Sequence, residues 1–205
     1  MDIPEAKRDG KLISRLLAIA IGGFDKAVDK ESQLYLRLLA RLVDKAHSEY
    51  SIAREYIIEE IKTNDRLMWR IEIANHLENC VSAISRASKV VSQLSGGVRQ
   101  NNRYKLKKDL DICKFISDQT KQKVASVSVS DLRNRVEHID EDIYLNTFKG
   151  KVFLDVSDDY KRVIISDKSI SMGDLVKMVT NYHELVLGVF NHLPKRWEKG
   201  KYYYD

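Results

Sequence analysis

Two long stretches of helical periodicity, separated by a three-residue break, constrain the fold of this chain more than any other feature. Apolar residues recur every three or four positions within residues 29–62, and the same spacing runs through residues 66–94. Between them stands Thr63-Asn64-Asp65, which is typical of a turn followed by a helix-capping residue. Because helices joined by so short a link pack side by side, the sequence predicts an antiparallel helical hairpin.

The spacing also predicts which side chains of the hairpin are buried. The stripe of the first helix consists of Leu34, Leu38, Leu42, Ala46, Tyr50, Ala53 and Ile57. The stripe of the second consists of Leu67, Ile71, Ala74, Leu77, Val81, Ile84, Ala87, Val91 and Leu94.

The rest of the chain is predicted to be mainly helical as well. It has only 9 Gly and 2 Pro in 205 residues, so few residues interrupt helices. Further helices are predicted at about 7–21 and 104–121, and a last one opens at Ser171 and Asp174 and runs to about His192. The predicted fold class is mainly α, an up-and-down helical bundle forming a single domain over residues 1–205.

A change of period marks the C-terminal part of the chain. Residues 151–156 and 161–165 are rich in β-branched and aromatic side chains around a polar turn, which predicts a small β-hairpin within 150–167. Residues 194–205 form a basic and aromatic tail.

Charge and cysteine content narrow the function classes. With 35 Lys and Arg against 30 Asp and Glu, the formal charge of +5 permits nucleic-acid binding without requiring it. Cys80 and Cys113 stand among apolar helical neighbours, so both are predicted to be small buried side chains. Cysteines of this kind fit a reducing compartment. No spacing of metal ligands is present, so neither a metal nor a cofactor is expected.

The short apolar run 16–21 follows Arg15 and predicts a packed helix rather than a membrane span, which favours a cytoplasmic protein.

The most informative chemical segment is residues 132–141. We predict a helix from Asp131 to about Tyr144, capped by Ser130, with a buried stripe that consists of Leu132, Val136, Ile139 and Ile143. The charged and polar side chains of this helix then face solvent or a partner. Arginine binds phosphate through a planar fork of donors, and histidine transfers protons near neutral pH.

The pattern Arg133-Asn134-x-x-x-His138 resembles the motif of the HEPN superfamily, whose members are all-helical domains. Many of these are RNases in toxin–antitoxin, abortive-infection and other defence systems. The resemblance implies a metal-independent endoribonuclease that is a homodimer with a composite site at the interface, and it allows an antitoxin or another regulatory partner. Asp140 stands where one subgroup has a tyrosine that is modified, so silencing at that position is not expected.

Each motif residue has an expected role in RNA cleavage by the substrate's own 2′-hydroxyl. His138 serves as general acid or base, and Arg133 stabilises charge on the phosphoryl oxygens. Asn134 binds phosphate or holds His138, and Glu137 orients Arg133, since both pairs are four residues apart. Arg133 and His138 lie roughly 140° apart around the helix axis, so a two-fold dimer is expected to bring them together.

Other interpretations stay open at this point. The same four-apart pairs stabilise any exposed helix. A second basic segment is either an RNA-backbone contact or a solvated helix start; its cations are Arg99, Arg103, Lys105, Lys107 and Lys108. The alternative function is a non-catalytic helical module that binds RNA or a protein.

Overall fold

The computed structural model describes residues 2–7, 30–96, 128–146, 154–192, 196–198 and 201–203. The chain divides into two compact units. The first unit comprises Met1–Lys7, Lys45–Ser85 and Ser126–Thr180, and the second comprises Arg8–Asp44, Arg86–Ala125 and Asn181–Asp205. The fold is mainly helical with a small antiparallel sheet, as the sequence predicts. The predicted single domain over 1–205 stays a prediction.

The two long helices are confirmed nearly to the residue. Helix α1 spans Lys30–Thr63 and helix α2 spans Arg66–Gly96. Asn64 has a φ of 55°, the left-handed conformation that ends a helix, and its amide donates to the Glu60 carbonyl at 2.8 Å. Asp65 then caps α2, because its Oδ1 accepts from the Met68 amide at 3.3 Å.

Within the first unit, α1 and α2 run antiparallel. Glu49 precedes Glu60 along α1 and bonds His76, whereas Glu60 bonds Arg70, which precedes His76 along α2. The order of partners along α2 is therefore reversed. The helices and the sheet bury a shared apolar core, which includes Tyr50, Ala53, Ile57, Ile73, Leu77, Val81, Ile84, Val156, Val163, Ile165 and Ile170.

The predicted stripes are wrong at their N-terminal ends. Leu34 and Leu38 are exposed, because three steps of four residues rotate the stripe by about 120°. The buried face of α1 instead alternates threes and fours through Leu36, Leu39 and Val43. Ile71 of α2 is 63% exposed.

The predicted hairpin is part of a three-stranded antiparallel sheet. Strand β1 spans Asp155–Val156, β2 spans Arg162–Ile165 and β3 spans Lys168–Ser171, in the order β1-β2-β3. The sequence analysis missed β3, since Ile170 is its only strongly apolar residue. Residues 151–153 lie outside the described part of the chain.

The last helix, α5, agrees with its prediction. It spans Met172–His192. The Ser171 hydroxyl accepts from the Asp174 amide at 3.0 Å and donates to the Asp174 carboxylate at 2.6 Å. In the tail, β4 (Arg196–Glu198) pairs antiparallel with β5 (Lys201–Tyr203). The predicted helices at 7–21 and 104–121 lie outside the described residues.

The motif helix is not continuous, contrary to the prediction. Helix α3 spans Ser128–Glu137, and the separate helix α4 spans Ile139–Tyr144. Ser130 is therefore inside a helix rather than at its cap. His138 stands at the break with φ −116° and ψ 19°. Leu132 is buried as predicted, but Ile143, beyond the break, is exposed.

Among the described helices, none carries an apolar stretch of the length needed to cross a bilayer.

Buried tyrosines couple the stability of each unit to pH. Burial raises the pKa of Tyr50, whose hydroxyl donates to the Pro4 carbonyl at 2.7 Å. Burial also raises the pKa of Tyr182, and burial together with a bond to Glu60 raises that of Tyr160. The unfolded chain loses these protons at about pH 10, and the folded protein loses them only at higher pH. The resulting stability is present below pH ~10 and is lost as the pH rises further.

Tyr50→Phe is therefore expected to reduce the alkaline loss of stability. At pH 7 the variant loses one buried hydrogen bond, which costs about 0.5–1.5 kcal/mol. Between pH ~9.5 and ~11.5 its free energy of unfolding should fall less steeply than that of the wild type. Urea unfolding across this range measures the difference, with Tyr144→Phe as control because Tyr144 is 88% exposed. An equal slope in Tyr50→Phe and wild type would contradict the assignment.

Candidate functional site

A groove of about 220 Å³ lies where α3 faces the sheet, and it contains part of the predicted motif. Among its lining residues, Asp131, Asn134 and Arg135 share one face of α3, and His138 follows at the break directly after the helix. Lys168 of β3 also lines the groove. The structure therefore brings Asn134 and His138 together, as the motif predicts.

The local fold explains how α3 presents these side chains. Helix α3 packs on β2 and β3, and its Val129 and Leu132 are buried. Burial of this apolar face leaves the polar face beside the end of β3. The hydrophobic pattern of the segment thus determines that the polar side chains of α3 line the groove.

His138 is the exposed acid–base group of the groove. Its side chain is 62% exposed, and its Nδ1 lies 3.3 Å from Glu141 Oε2. The His138 amide still donates to the Asn134 carbonyl at 3.0 Å, so the break leaves the residue anchored to α3. The contact with Glu141 was not predicted, although an acid three residues away is visible in the sequence.

Two cations in the groove were missed by the sequence analysis. Arg135 Nε lies 3.3 Å from Asp167 Oδ1, and Lys168 Nζ lies 3.7 Å from Asp167 Oδ2. Asp167 occupies the β2–β3 turn, after Ser166 with a φ of 51°. Because β3 itself was not predicted, Lys168 could not be placed beside His138 from the sequence alone.

Arg133 lies on the other flank of α3 and does not line the groove. It forms the predicted pair with Glu137, in which Arg133 Nη2 donates to Glu137 Oε1. Only 15% of the Arg133 side chain is exposed, against 44% for Glu137. Within one chain, the two principal motif residues therefore contact different neighbours.

The remaining predicted site residues lie outside the described part of the chain; they are Arg99, Arg103, Lys105, Lys107 and Lys108. In the described residues, no group of three or more His, Cys, Asp or Glu side chains is arranged to hold a metal ion. Cys80 is buried as predicted, and burial raises the pKa of its thiol.

Two other histidines have structural contacts that the sequence did not indicate. His47 is buried and its Nε2 donates to the Ala6 carbonyl at 2.8 Å. His76 Nδ1 bonds Glu49 at 2.6 Å across the helical hairpin. Twenty-seven residues separate these partners, so no local spacing could reveal the pair.

Comparison with known proteins gives no match: no protein-family model, no curated protein and no solved structure matches this chain. The resemblance to the HEPN superfamily rests on residues 133–138.

Proposed function

We propose that this protein is a HEPN-like, metal-independent endoribonuclease that cleaves RNA through attack by the substrate's 2′-hydroxyl. The observation that carries the proposal is the groove in which exposed His138 lies with Asn134 and two cations. An imidazole supplies proton transfer, and cations stabilise the charge that develops on a phosphoryl group.

The proposed reaction needs only groups of the protein and its substrate together with water. The 2′-oxygen bonds to the adjacent phosphorus while the bond from phosphorus to the 5′-oxygen breaks. His138 takes the proton of the 2′-hydroxyl while water protonates the departing 5′-oxygen, or His138 protonates the 5′-oxygen while water takes the proton of the 2′-hydroxyl. The products are a 2′,3′-cyclic phosphate and a 5′-hydroxyl end, and DNA is spared because it lacks the attacking group.

Arg135 and Lys168 can hold the scissile phosphate in place of Asp167. Their ion pairs with Asp167 are partly exposed, and exposed pairs of this kind contribute only about 0–1 kcal/mol. Exchange of this carboxylate for a phosphate therefore carries a small energetic cost. Asn134, which borders the same groove, adds an amide donor.

We further propose a homodimer in which Arg133 of one copy acts on the phosphate held by the other. Arg133 does not reach the groove of its own chain, so a second copy would complete the site. Ile143, Tyr144 and Leu145 follow the motif directly and are exposed, which offers an apolar surface for a two-fold contact. A cytoplasmic toxin or defence role, with an antitoxin or other regulatory protein, follows from the family resemblance.

A non-catalytic module that binds RNA or a protein is the second candidate. It is favoured by Asp131, which lines the groove, and by Asp167 and Glu141, which pair with its cations and its imidazole. A surface so nearly balanced in charge can recognise a polar partner without transferring a proton.

Cleavage assays in EDTA separate the two candidates. The purified protein is incubated with a single-stranded RNA and with the same oligonucleotide carrying 2′-deoxyribose throughout. We expect chelator-resistant cutting of the RNA alone and a 2′,3′-cyclic phosphate at the new end. Binding without cutting would select the non-catalytic module, and cleavage of the deoxy strand would exclude the proposed mechanism.

A further inference from the structure

A second cluster of polar and aromatic side chains lies on the helical hairpin of the first unit. It consists of Glu49 and Tyr56 from α1 with Trp69, Glu72 and His76 from α2, and we call it the hairpin surface. The Tyr56 ring stacks on Trp69 with centroids 5.4 Å apart and an angle of 23° between the planes. The His76 ring lies 5.5 Å from the Tyr56 ring.

The hydrogen-bonded groups of this cluster join α1 to α2. His76 Nδ1 bonds Glu49 Oε2 at 2.6 Å, and Asn79 Nδ2 donates to the same oxygen at 3.5 Å. The side chains of His76 and Glu49 are 22% and 17% exposed, which leaves them partly open to solvent. Glu72 is exposed one helical turn from both Trp69 and His76.

Charge on the hairpin surface disfavours a phosphate ligand. Glu49 and Glu72 are acidic, and the nearby Glu59 is paired with Lys62 at 2.6 Å. Aromatic faces attract cations through their quadrupole, and carboxylates accept from them. The cluster therefore has the chemistry to bind a planar cation rich in hydrogen-bond donors.

We propose that the hairpin surface binds an arginine side chain presented by a segment of a partner protein. A guanidinium is flat enough to stack on the Tyr56–Trp69 pair while its donors reach the exposed carboxylate of Glu72. A lysine ammonium supplies charge but cannot stack, so the surface discriminates between the two cations. This inference does not depend on the proposed nuclease activity.

A purely structural role makes a different prediction. If the Glu49–His76 bond only fastens α1 to α2, Glu72 contributes nothing and arginine has no effect on Trp69. Glu72 makes no contact that fastens the hairpin among those described, and it is exposed. Its substitution therefore tests recognition without disturbing the fold.

Tryptophan fluorescence provides a direct test. The chain has two tryptophans, so the full-length Trp197→Phe variant reports on Trp69 alone. It is titrated with a blocked pentapeptide containing two arginines, with the lysine version of that peptide, and with N-acetylarginine amide. The titrations are repeated in Glu72→Gln and in Glu5→Gln.

Glu5→Gln is the matched control because it makes the same charge change elsewhere. Ile3, Pro4 and Ala6 contact the side of α1 that carries Arg54, Tyr50 and His47. That side lies roughly 140° around the helix from Glu49 and Tyr56. Glu5 is itself exposed, so its replacement leaves the fold unchanged.

We expect a saturable change with the arginine peptide, and weaker binding of the lysine peptide and the single amide. Glu72→Gln should weaken arginine binding roughly two- to fivefold, while Glu5→Gln leaves it unchanged. No change in Trp69 emission, equal binding of both peptides, or equal losses in both variants would overturn the proposal. If N-acetylarginine amide binds as tightly as the peptide, the ligand of this surface is a small molecule, and the proposal of a partner segment is overturned.

Discussion

His138→Ala is expected to lower the rate of RNA cleavage by about 10²–10⁴-fold, which is the usual contribution of a general acid or base. The side chain is 62% exposed and its described partner is Glu141, so its removal creates no cavity and no buried charge. Stability and helical content should therefore stay at wild-type values. Single-turnover cleavage in EDTA gives the rate, and circular dichroism checks the fold.

The control for this variant is Asp140→Asn. Asp140 is exposed on α4, two residues from His138, and does not line the groove. Its replacement should change the rate little. Undiminished cutting by His138→Ala would exclude the imidazole from catalysis.

The arginines then distinguish a composite site from a site within one chain. If the site is composite, Arg133→Ala abolishes cleavage. Mixing this variant with His138→Ala then restores part of the activity, because one of the two sites in the mixed dimer has both Arg133 and His138. In a single-chain site, Arg135→Ala has the larger effect and mixing restores nothing. The first outcome is the expected one, because Arg133 does not line the groove of its own chain.

The long helices could be predicted because their determinants are local. Repeated apolar spacing and Thr63-Asn64-Asp65 place both helix ends within about two residues of those observed. The positions of Leu34 and Ile71 could not be predicted as reliably, since small errors in helical phase accumulate along a stripe. For example, near the start of α2, Arg70 faces the sheet and bonds Asp155, whereas the neighbouring Ile71, which was predicted to be buried, is exposed.

The candidate site was only partly visible in the sequence for the same reason. Asn134 and His138 are four residues apart in a segment of helical periodicity, so their shared groove follows from that spacing although α3 ends at Glu137. Lys168 reaches the groove through the pairing of β2 with β3, which is a tertiary contact. The break at His138 also lacks a signal, because neither Gly nor Pro stands near it.

Arg70 connects the helical hairpin to the sheet through a network of buried charges. Its Nε donates to Glu60 Oε1 at 2.8 Å, and its Nη1 donates to Asp155 Oδ1 at 3.0 Å and to the Val156 carbonyl at 2.7 Å. The Tyr160 hydroxyl donates to the same Glu60 oxygen at 2.8 Å. Burial opposes the charge of Arg70, but the bonds to Asp155 and Glu60 outweigh it and raise its pKa.

Arg70→Met is expected to lower the free energy of unfolding by about 3–5 kcal/mol. Methionine fills a similar volume, so the loss arises from electrostatics rather than from a cavity. The Glu60 side chain is fully buried and that of Asp155 is 7% exposed, and both would lose their cation. Urea unfolding measures the change, with the midpoint falling while the slope stays constant.

Arg66→Met is the matched control, because Arg66 stands four residues before Arg70 on the same helix. It also pairs with an acid of the sheet region, Asp158, at 3.0 Å, but these side chains are 55% and 84% exposed. An exposed pair contributes about 0–1 kcal/mol, so this variant should remain near wild type. Adding Glu60→Gln to Arg70→Met should recover part of the loss, since it removes one of the two stranded charges. Equal effects of the two arginine substitutions would mean that burial does not set the strength of this network.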